Sequence, residues 1–502
     1  MLRRSFIAVH RWLGVALALP FIVWFLSGFV MLYRTFPEVT PADRLHRAPV
    51  LDTARVLVPV DRAVAASGVA GVPDAITLAS LDGRPIYRVA GNGVTATVYA
   101  DDGSRLTQAD AALLDRVAAG WTGQPASRAR RGSIDAVDQW TVGGVFRRHG
   151  PLVRYSWPDG QQVYLDRSGA VAQHTTRASR LWAYAGAIPH WFYVTPLRRH
   201  PAVWSSVVVW LSGLGTVSAV LGLIVAVWAL SPRERYQRGR VSGRLPYTRW
   251  RWLHAVLGLT FGIAAVTWAF SGMLSMGPFP VVTRLAARLA SEPTTQPRVS
   301  PATLATALRG RAPGPGAFSE LTAGEVVASV PDVGVREIEF TSFDGSPLFL
   351  VRARDGRTRL VPPRGAPHAS LDAGAVTEIL RRAAGPALLD TTVISTYDAY
   401  YRDRRGAQPL PVVRARLSDG LVYVDLASGR VVATYSNRQW VERWLYQGLH
   451  SLDVPWFAER RAARDAVALI LLAGGTVLSL SAVVLAWRVL PRRPRPYPGH
   501  RE

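Results

Sequence analysis

The chain has 502 residues, of which 49% are hydrophobic and 17 are tryptophan, so it is too apolar to be disordered and long enough for more than one domain. It contains no cysteine, which excludes a disulfide scaffold, thiolate metal sites, iron–sulfur clusters and covalent attachment of c-type haem. The net charge of +24 suggests a nucleic-acid ligand. Lysine is absent, however, which is more typical of genome-wide base composition than of selection for phosphate contacts. The positions of the arginines must therefore decide whether the charge indicates nucleic-acid binding.

Four apolar stretches are long enough to cross the hydrocarbon core of a bilayer, which takes about 20 mostly apolar residues. Bulky residues, rather than a small-residue cleavage site, follow the first stretch, so we interpret it as a retained anchor and not as a signal peptide. The predicted spans are residues 6–32, 202–230, 252–276 and 466–490.

Arginines in the short segments beside these spans predict the orientation, because positively charged segments stay on the cytoplasmic side. Residues 1–11 hold three arginines, residues 231–251 hold seven against one glutamate, and residues 488–502 hold five against one glutamate. The charge is therefore chiefly a topology signal, and nucleic acid is not needed to explain it.

The predicted fold is a multi-pass α-helical membrane protein with both termini in the cytoplasm and two large external regions. Its divisions are a first span with the cytoplasmic N-terminus (1–33), a first external region (34–200), a second span (201–230), an arginine-rich cytoplasmic loop (231–251), a third span (252–277), a second external region (278–464), a fourth span (465–490) and a cytoplasmic tail (491–502).

The chain repeats its own pattern of span, external region, span. At a spacing of 244 residues, His10, Gly14 and Trp24 match His254, Gly258 and Trp268; at a spacing of 260 residues, His190 matches His450. With an even number of spans in each unit the two repeats are parallel. This disfavours an alternating-access transporter, for which inverted repeats are the best sequence signal.

The external regions are predicted to be small α+β domains. Residues 58–67 have helical spacing, and residues 75–81, 85–89 and 94–99 alternate as strands. Two hairpins turn at Asp-Gly pairs, and residues 300–316, rich in Pro, Gly and Ala, predict a linker with a short helix. The predicted hairpin strands are 153–157 with 163–166, and 412–417 with 421–425.

Four of the ten histidines follow the repeat and divide into two levels. His10 and His254 lie near the cytoplasmic ends of the first and third spans, whereas His190 and His450 lie just before the external ends of the second and fourth. An ionisable residue within a membrane is costly and is a functional candidate by default. The pattern predicts axial ligands for two non-covalent b-type haems, one held by His10 with His254 and one by His190 with His450.

Alternatives remain for each of these positions. A single interfacial histidine beside Arg and Trp could be a membrane anchor, and Gly14 and Gly258, one turn from their histidines, could admit a flat macrocycle or pack helices. His200 is expected to be an interfacial cation, although it could replace His190 as a ligand. Two further expectations are packing roles for Ser27 and Ser271, and surface positions for His46, His149, His174, His368 and His500.

No motif identifies a catalytic residue. The sequence lacks a His-Glu-x-x-His zinc motif, a phosphate-binding glycine-rich loop and a nucleotide fingerprint. A cytoplasmic flavin or NAD domain is also missing, because the longest predicted cytoplasmic segment has only about 20 residues.

Several motifs together carry a resemblance to a known family: His10-Arg11-Trp12-Leu13-Gly14, Ser27-Gly28, Tyr397-Asp398-Ala399-Tyr400-Tyr401 and Leu449-His450-Ser451. They resemble those of the PepSY-associated transmembrane proteins, the group that includes bacterial iron-regulated membrane proteins and inner-membrane siderophore reductases. Residues 59–102 are similar to a PepSY domain. The tyrosines of 397–401 are expected to pack their domain, the alternative being that they bind an acceptor.

The resemblance implies a bacterial inner-membrane protein with periplasmic PepSY-like domains. In the reductase members it implies haem-mediated electron flow from a cytoplasmic or quinol donor to a ferric-siderophore or another periplasmic acceptor. External arginines such as Arg147, Arg148, Arg404 and Arg405 favour an anionic acceptor. The alternative is a non-enzymatic membrane-anchored protein whose PepSY-like domains bind or regulate an envelope peptidase or another partner.

Overall fold

The computed structural model describes residues 1–231, 236–238, 241–277, 299–403, 406–436, 439, 441–458 and 460–489. Several arginines of the predicted cytoplasmic loop, the tail from residue 490, and Arg404 and Arg405 lie outside the described residues. The chain forms two compact units, which we call the membrane unit (Met1–Phe36, Leu181–Arg284 and Trp440–Glu502) and the sheet unit (Pro37–Arg180 and Leu285–Gln439).

Four helices of the membrane unit are long and apolar enough to span a bilayer, which confirms the four predicted spans. At 26 to 30 residues each and a rise of about 1.5 Å per residue, every one exceeds the roughly 30 Å of a hydrocarbon core. In chain order, the first to fourth membrane helices are Leu2–Met31, Pro201–Ala229, Arg249–Leu274 and Arg461–Val489.

Small residues form the buried faces of these helices, which lets their backbones approach closely. Ser212, Gly215 and Ser218 are buried along the second helix. On the fourth helix, a Cβ at Gly474 would collide with the ring of Phe261, and one at Gly475 with the ring of Phe25. Large apolar side chains such as Trp210 remain exposed on the outer faces, as lipid contact requires.

Short elements complete the membrane unit. Between the first two spans these include Ala187–Trp191 and Thr195–Arg198, while Arg177–Ala185 crosses the boundary between the units. Before the fourth span lie the π-helical segment Val441–Gly448 and the helices Leu449–Ser451 and Pro455–Ala458; two short strands are Tyr236–Arg238 and Val241–Gly243.

The sheet unit is built around one antiparallel sheet of seven strands, to which both long connections contribute. Ala75–Leu81 pairs with Val335–Phe343, with Ile76 opposite Phe340. The first connection also supplies Arg84–Gly91, Val94–Tyr99 and Arg105–Leu106, and the second supplies Ser346–Ala353 and Thr358–Val361. The sequence predicts two external domains, and it does not predict that their strands join in a single sheet.

Each connection adds its own four-stranded antiparallel sheet. The strands are Arg130–Ile134, Leu152–Ser156, Gln162–Leu165 and Val171–Thr175 in the first, and Leu388–Ile394, Val412–Leu417, Gly420–Asp425 and Arg430–Ser436 in the second. Both predicted hairpins are therefore confirmed, because the turns around Asp159 and Asp419 join strands whose limits lie within one residue of the predicted ones.

Helices cover these sheets. They are Pro41–Arg47, Val60–Ser67, Ala111–Thr122, Val145–His149, Pro301–Arg309, Ala323–Ala328 and Ala373–Ala384, with single 3-10 turns at Thr53–Arg55, Ala126–Arg128, Pro315–Phe318 and Gly385–Ala387. The main core packs Val60–Ser67 and Ala323–Ala328 on the seven-stranded sheet, with Leu78, Ile338 and Val351 fully buried. The short helix predicted within 300–316 is Pro301–Arg309.

Candidate functional site

The structure brings His10 and His254 together. His10 lies near the start of the first membrane helix and His254 near the start of the third, and their ring centres are 6.2 Å apart. This is the pairing that the repeat predicts, one histidine from each half of the chain.

Hydrogen bonds fix which ring nitrogen of this pair carries the proton. The Nδ1 of His10 is 2.9 Å from the backbone carbonyl oxygen of Ser218, which can only accept, so Nδ1 donates. The Nδ1 of His254 is 2.9 Å from Oγ of Ser481, whose hydroxyl donates to the carbonyl of Leu478 at 2.6 Å and therefore accepts from the ring. In both rings the Nε2 atom is left with the lone pair that a metal needs.

His190 and His450 form a second pair with the same arrangement, their ring centres 6.0 Å apart. The Nδ1 of His190 lies 3.0 Å from Oγ of Ser27, and the Nδ1 of His450 lies 3.1 Å from Oγ of Ser271. Each serine hydroxyl has a carbonyl acceptor one turn earlier in its own helix, so each accepts a proton from its imidazole. In all four histidines the Nδ1 atom is thus the nitrogen that donates a hydrogen bond to the protein.

An unusual backbone conformation follows each histidine of the second pair. Phe192 and Leu452, each two residues after its histidine, have φ of 51° and 52°, in the left-handed region that residues other than glycine rarely adopt. Such a conformation costs on the order of 1 kcal/mol or more and persists only where the surroundings impose it. It ends both short helices at the same point, so His190 and His450 are presented in the same way.

The two pairs lie at two levels of the membrane unit. Along the first helix, the contact with the second pair is made at Ser27, about 25 Å from His10 at roughly 1.5 Å per residue. Along the third helix, His254 and Ser271 have the same separation. This distance approaches the roughly 30 Å thickness of a hydrocarbon core, so the two levels are separated by nearly the length of a membrane span.

Aromatic rings fill the space between the two levels. Phe21 stacks on Phe25 at 6.2 Å, and Phe25 lies 5.9 Å from Trp268. The indole Nε1 of Trp268 donates to the carbonyl oxygen of Leu449 at 3.1 Å, which ties the third membrane helix to the residue before His450. This packing makes the interior between the histidine pairs apolar.

The spacing within each pair fits two imidazoles that share one metal ion. A metal–imidazole bond is about 2.1 Å long and the ring centre lies roughly 1 Å beyond the nitrogen, so ligands on opposite sides of one ion have centres about 6 Å apart. Within the part of the chain that the structure describes, no group of three or more His, Asp or Glu is placed to hold a metal. The remaining ligands would have to come from a cofactor, as the four nitrogens of a porphyrin would.

Two glycines leave room for a flat group beside the first pair. Gly14 and Gly258 lie one turn after His10 and His254, and no heavy atom lies within 4 Å of the position that a Cβ would take at either glycine. Neither glycine is thus used for close helix packing at that point. This favours a role in admitting a flat macrocycle over a role in helix packing.

Sequence reasoning missed the groups that orient the imidazoles. Ser27 and Ser271 were expected to pack, but their hydroxyls bind His190 and His450. Ser481 and the carbonyl of Ser218 carried no prediction at all. Ser27, Ser271 and Ser481 are almost fully buried, at 2%, 0% and 0% exposure, and a hydroxyl buried in an apolar span is the signal that could have identified them.

The remaining histidines lie elsewhere. His200 immediately precedes the second membrane helix, and it is His190 whose ring faces His450. Two histidines expected at the surface are partly buried: His149 binds Asp166 at 3.2 Å, and His174 lies 3.2 Å from Gln161. Burial, aided by the nearby Arg47, lowers the pKa of His174 to about 4.

The tyrosine segment packs around Asp398, as expected. The hydroxyl of Tyr423 donates to this carboxylate at 3.0 Å, and Tyr401, fully buried, stacks on Tyr423 at 4.8 Å. Burial raises the pKa of both tyrosines. In the first connection, Asp138 accepts a hydrogen bond from Tyr164 at 2.8 Å in the same manner.

Four long apolar helices, together with an α+β unit in the same chain, define the class as a polytopic membrane protein. The family model described as the PepSY-associated TM region matches residues 7–336, more than half of the chain, so the protein belongs to this family. A search of curated proteins gives no match.

Proposed function

We propose that the protein is a transmembrane electron carrier that holds two b-type haems, with His10 and His254 as the axial ligands of one and His190 and His450 as those of the other. The observation that carries this proposal is the repeated arrangement of the four imidazoles, each with Nδ1 donating to a serine hydroxyl or carbonyl and each facing a partner ring at about 6 Å. A membrane tether has no need of two such pairs.

The side chains of this site position and tune a cofactor. A ligand whose second nitrogen donates a hydrogen bond is held in one orientation and made more basic, which favours the more highly charged metal. Haem, when bound, supplies the one-electron chemistry of iron. The aromatic rings at Phe21, Phe25 and Trp268 keep water from the space between the levels.

The proposed reaction moves one electron at a time across the membrane. With haem held by both histidine pairs, an electron from a cytoplasmic or quinol donor would cross from the His10–His254 level to the His190–His450 level. It then reduces a ferric-siderophore outside from Fe(III) to Fe(II). No proton or bond need change in this protein, so its role is to hold the sites and set their potentials.

The proposed setting is the inner membrane of a bacterium, with both termini in the cytoplasm and the sheet unit, including its PepSY-like parts, in the periplasm. The arginine-rich segments of the sequence support this orientation. The parallel repeat is supported by the pairing of each histidine with its counterpart from the other half, and by the matching positions of Phe192 and Leu452.

The test is a dithionite-reduced minus air-oxidised absorption spectrum of the full chain purified in detergent. We expect a b-type haem signal that weakens in His190→Ala and in His450→Ala but is unchanged in the control His200→Ala. A colourless protein, or loss of signal in His200→Ala with retention in His190→Ala, contradicts the proposal. A colourless protein is the outcome expected if the chain only binds an envelope peptidase or another partner.

A further inference from the structure

The sheet unit contains a basic cavity that the proposed electron transfer does not use. It has a volume of about 400 Å³, within the range of small-molecule sites. Its lining is His46, Arg47, Ala48, Gly120, Arg336 and Arg354. Three guanidinium groups and an imidazole therefore line it, with no carboxylate among the lining residues.

Arg336 occupies a special position in the sheet. The pairing of Val335–Phe343 with Ser346–Ala353 is irregular at this point: Val335 lies opposite Ala353 and Glu337 opposite Arg352, which leaves Arg336 as the extra residue of a bulge. A bulge redirects a side chain out of the regular alternation of a strand. The Nε atom of Arg336 is buried, and among the described residues it has no hydrogen-bond partner.

The other two arginines are held in place by neutral groups. Arg47 donates to the carbonyl oxygen of Trp121 at 2.6 Å and lies over the ring of the same residue at 4.8 Å. Arg354 donates to Nε2 of His46 at 3.2 Å. These contacts orient the guanidinium groups without neutralising them.

The carboxylates that neighbour Arg336 and Arg354 in the sequence are bound to other arginines, and Asp43, which interacts electrostatically with Arg47, is hydrogen-bonded to Thr40. Glu337, next to Arg336, binds Arg352 at 2.5 Å, and Asp355, next to Arg354, binds Arg357 at 2.7 Å. Within the described parts of the chain, no salt bridge joins Arg47, Arg336 or Arg354 to any acidic group. A buried guanidinium nitrogen with an unmet donor favours an anionic acceptor, and the fork of arginine matches carboxylate and phosphate oxygens.

We propose that this cavity binds the carboxylate or phosphate group of a small anion through its lining residues Arg336, Arg47, Arg354 and His46. The site stands independently of haem binding, because every residue that lines it belongs to the sheet unit. The oxyanion has two possible sources, a soluble anion and a phospholipid headgroup.

Isothermal titration of the full chain in neutral detergent, with citrate and with inorganic phosphate as probes, tests the proposal. We expect saturable binding that weakens about tenfold or more in Arg336→Gln. The matched control is Arg62→Gln, which removes an exposed arginine from the helix Val60–Ser67 and should leave the affinity unchanged. If Arg336→Gln does not fold, Arg354→Gln, at an exposed turn, gives the same readout.

A second arm separates the two sources. The citrate titration is repeated in nanodiscs of phosphatidylcholine alone and in nanodiscs containing phosphatidylglycerol. An equal citrate affinity in both supports a soluble anion, and a weaker affinity in the anionic discs supports a headgroup in the same cavity. Absence of saturable binding of both probes in detergent and in the neutral discs, or an equal loss in Arg62→Gln, overturns the proposal.

Discussion

The Nδ1 atom of His190 donates a hydrogen bond to the hydroxyl oxygen of Ser27, 3.0 Å away, while the same hydroxyl donates to the carbonyl of Val23. This relationship gives the two nitrogens of the imidazole different tasks. Nδ1 fixes the ring in the protein, and in the proposed haem site Nε2 would be the atom that binds the metal. His450 and Ser271 form the same contact.

Substitution of Ser27 or Ser271 by alanine tests the tuning role of these hydroxyls. The imidazole remains, so haem should stay bound, but the ligand becomes less basic. We expect the midpoint potential of that level to rise by about 40 mV, which corresponds to the roughly 1 kcal/mol of one hydrogen bond in a one-electron couple.

A spectroelectrochemical titration of each variant measures this shift. Ser479→Ala is the matched control, because Ser479 is equally buried in a membrane helix but donates to the carbonyl of Gly475 in its own helix. An unchanged potential in Ser27→Ala and Ser271→Ala, or a shift of the same size in Ser479→Ala, would show that the hydroxyls do not act on the ligands.

Gly222 packs directly on the imidazole of His10. A Cβ at this position would lie 2.5 Å from Cε1 of the ring, so Gly222→Ala must displace His10. We expect the haem-to-protein ratio to fall from about two to about one, since a ligand moved by a fraction of an ångström loses its geometry.

The control for this change is Gly262→Ala on the third membrane helix, where an added Cβ meets the side chain of Leu223 at 3.4 Å, an ordinary contact. It should keep the full haem content. Equal haem in Gly222→Ala and in the unmodified protein contradicts the assignment of His10.

His174 predicts a pH dependence of stability in the sheet unit. Its pKa in the folded protein, about 4, is below that of the unfolded chain because the ring is buried and lies near Arg47. The unfolded chain therefore binds the proton first, and this contribution to stability is present above about pH 6.5 and is lost as the pH falls toward 4.

Thermal unfolding of the full chain at pH 7 and at pH 4.5 measures the effect. The melting temperature should fall less between these two values in His174→Gln than in the unmodified protein. The nearby Asp43 and Asp159 titrate in both proteins, so the comparison isolates the imidazole. The same fall in both proteins would exclude His174 as a source of the pH dependence.

Asp398 is predicted to be a structural anchor of the tyrosine cluster. Its carboxylate accepts hydrogen bonds from the hydroxyl of Tyr423 and from the backbone nitrogens of Tyr400 and Tyr401. Asp398→Asn weakens charge-assisted bonds in a partly buried site and should destabilise the sheet unit by about 1–3 kcal/mol.

Differential scanning fluorimetry gives the comparison, with Asp390→Asn, at an exposed position of the neighbouring strand, as the control. The melting temperature should drop in Asp398→Asn and remain unchanged in Asp390→Asn. A stable Asp398→Asn protein that no longer reduces a ferric chelate would instead indicate a role in acceptor binding.

Local pattern was sufficient to predict the four membrane helices and several strands, because apolar length and alternation are properties of neighbouring residues. The pairing of His10 with His254 and of His190 with His450 was predictable because both follow the internal repeat. Their ligand role itself stays a prediction.

Long-range contacts were beyond local pattern. Nothing near Ile76 or Phe340 indicates that these residues pair across more than 250 positions to join both connections in one sheet. The bulge at Arg336 depends on strand register, which tertiary pairing sets. The bonds of Ser27 and Ser481 to imidazoles likewise depend on which helices are neighbours. The sequence therefore predicted only packing for Ser27 and nothing for Ser481.

The most direct test of the account is the haem-to-protein ratio of the detergent-purified chain and of single and paired histidine variants. We predict about two haems for the unmodified protein, and the same loss of one haem in His10→Ala, in His254→Ala and in the double variant of the two. His190→Ala, His450→Ala and their double variant should lose only the other haem. Full haem content in all the variants, or losses that add within a pair, would contradict the shared-ligand arrangement.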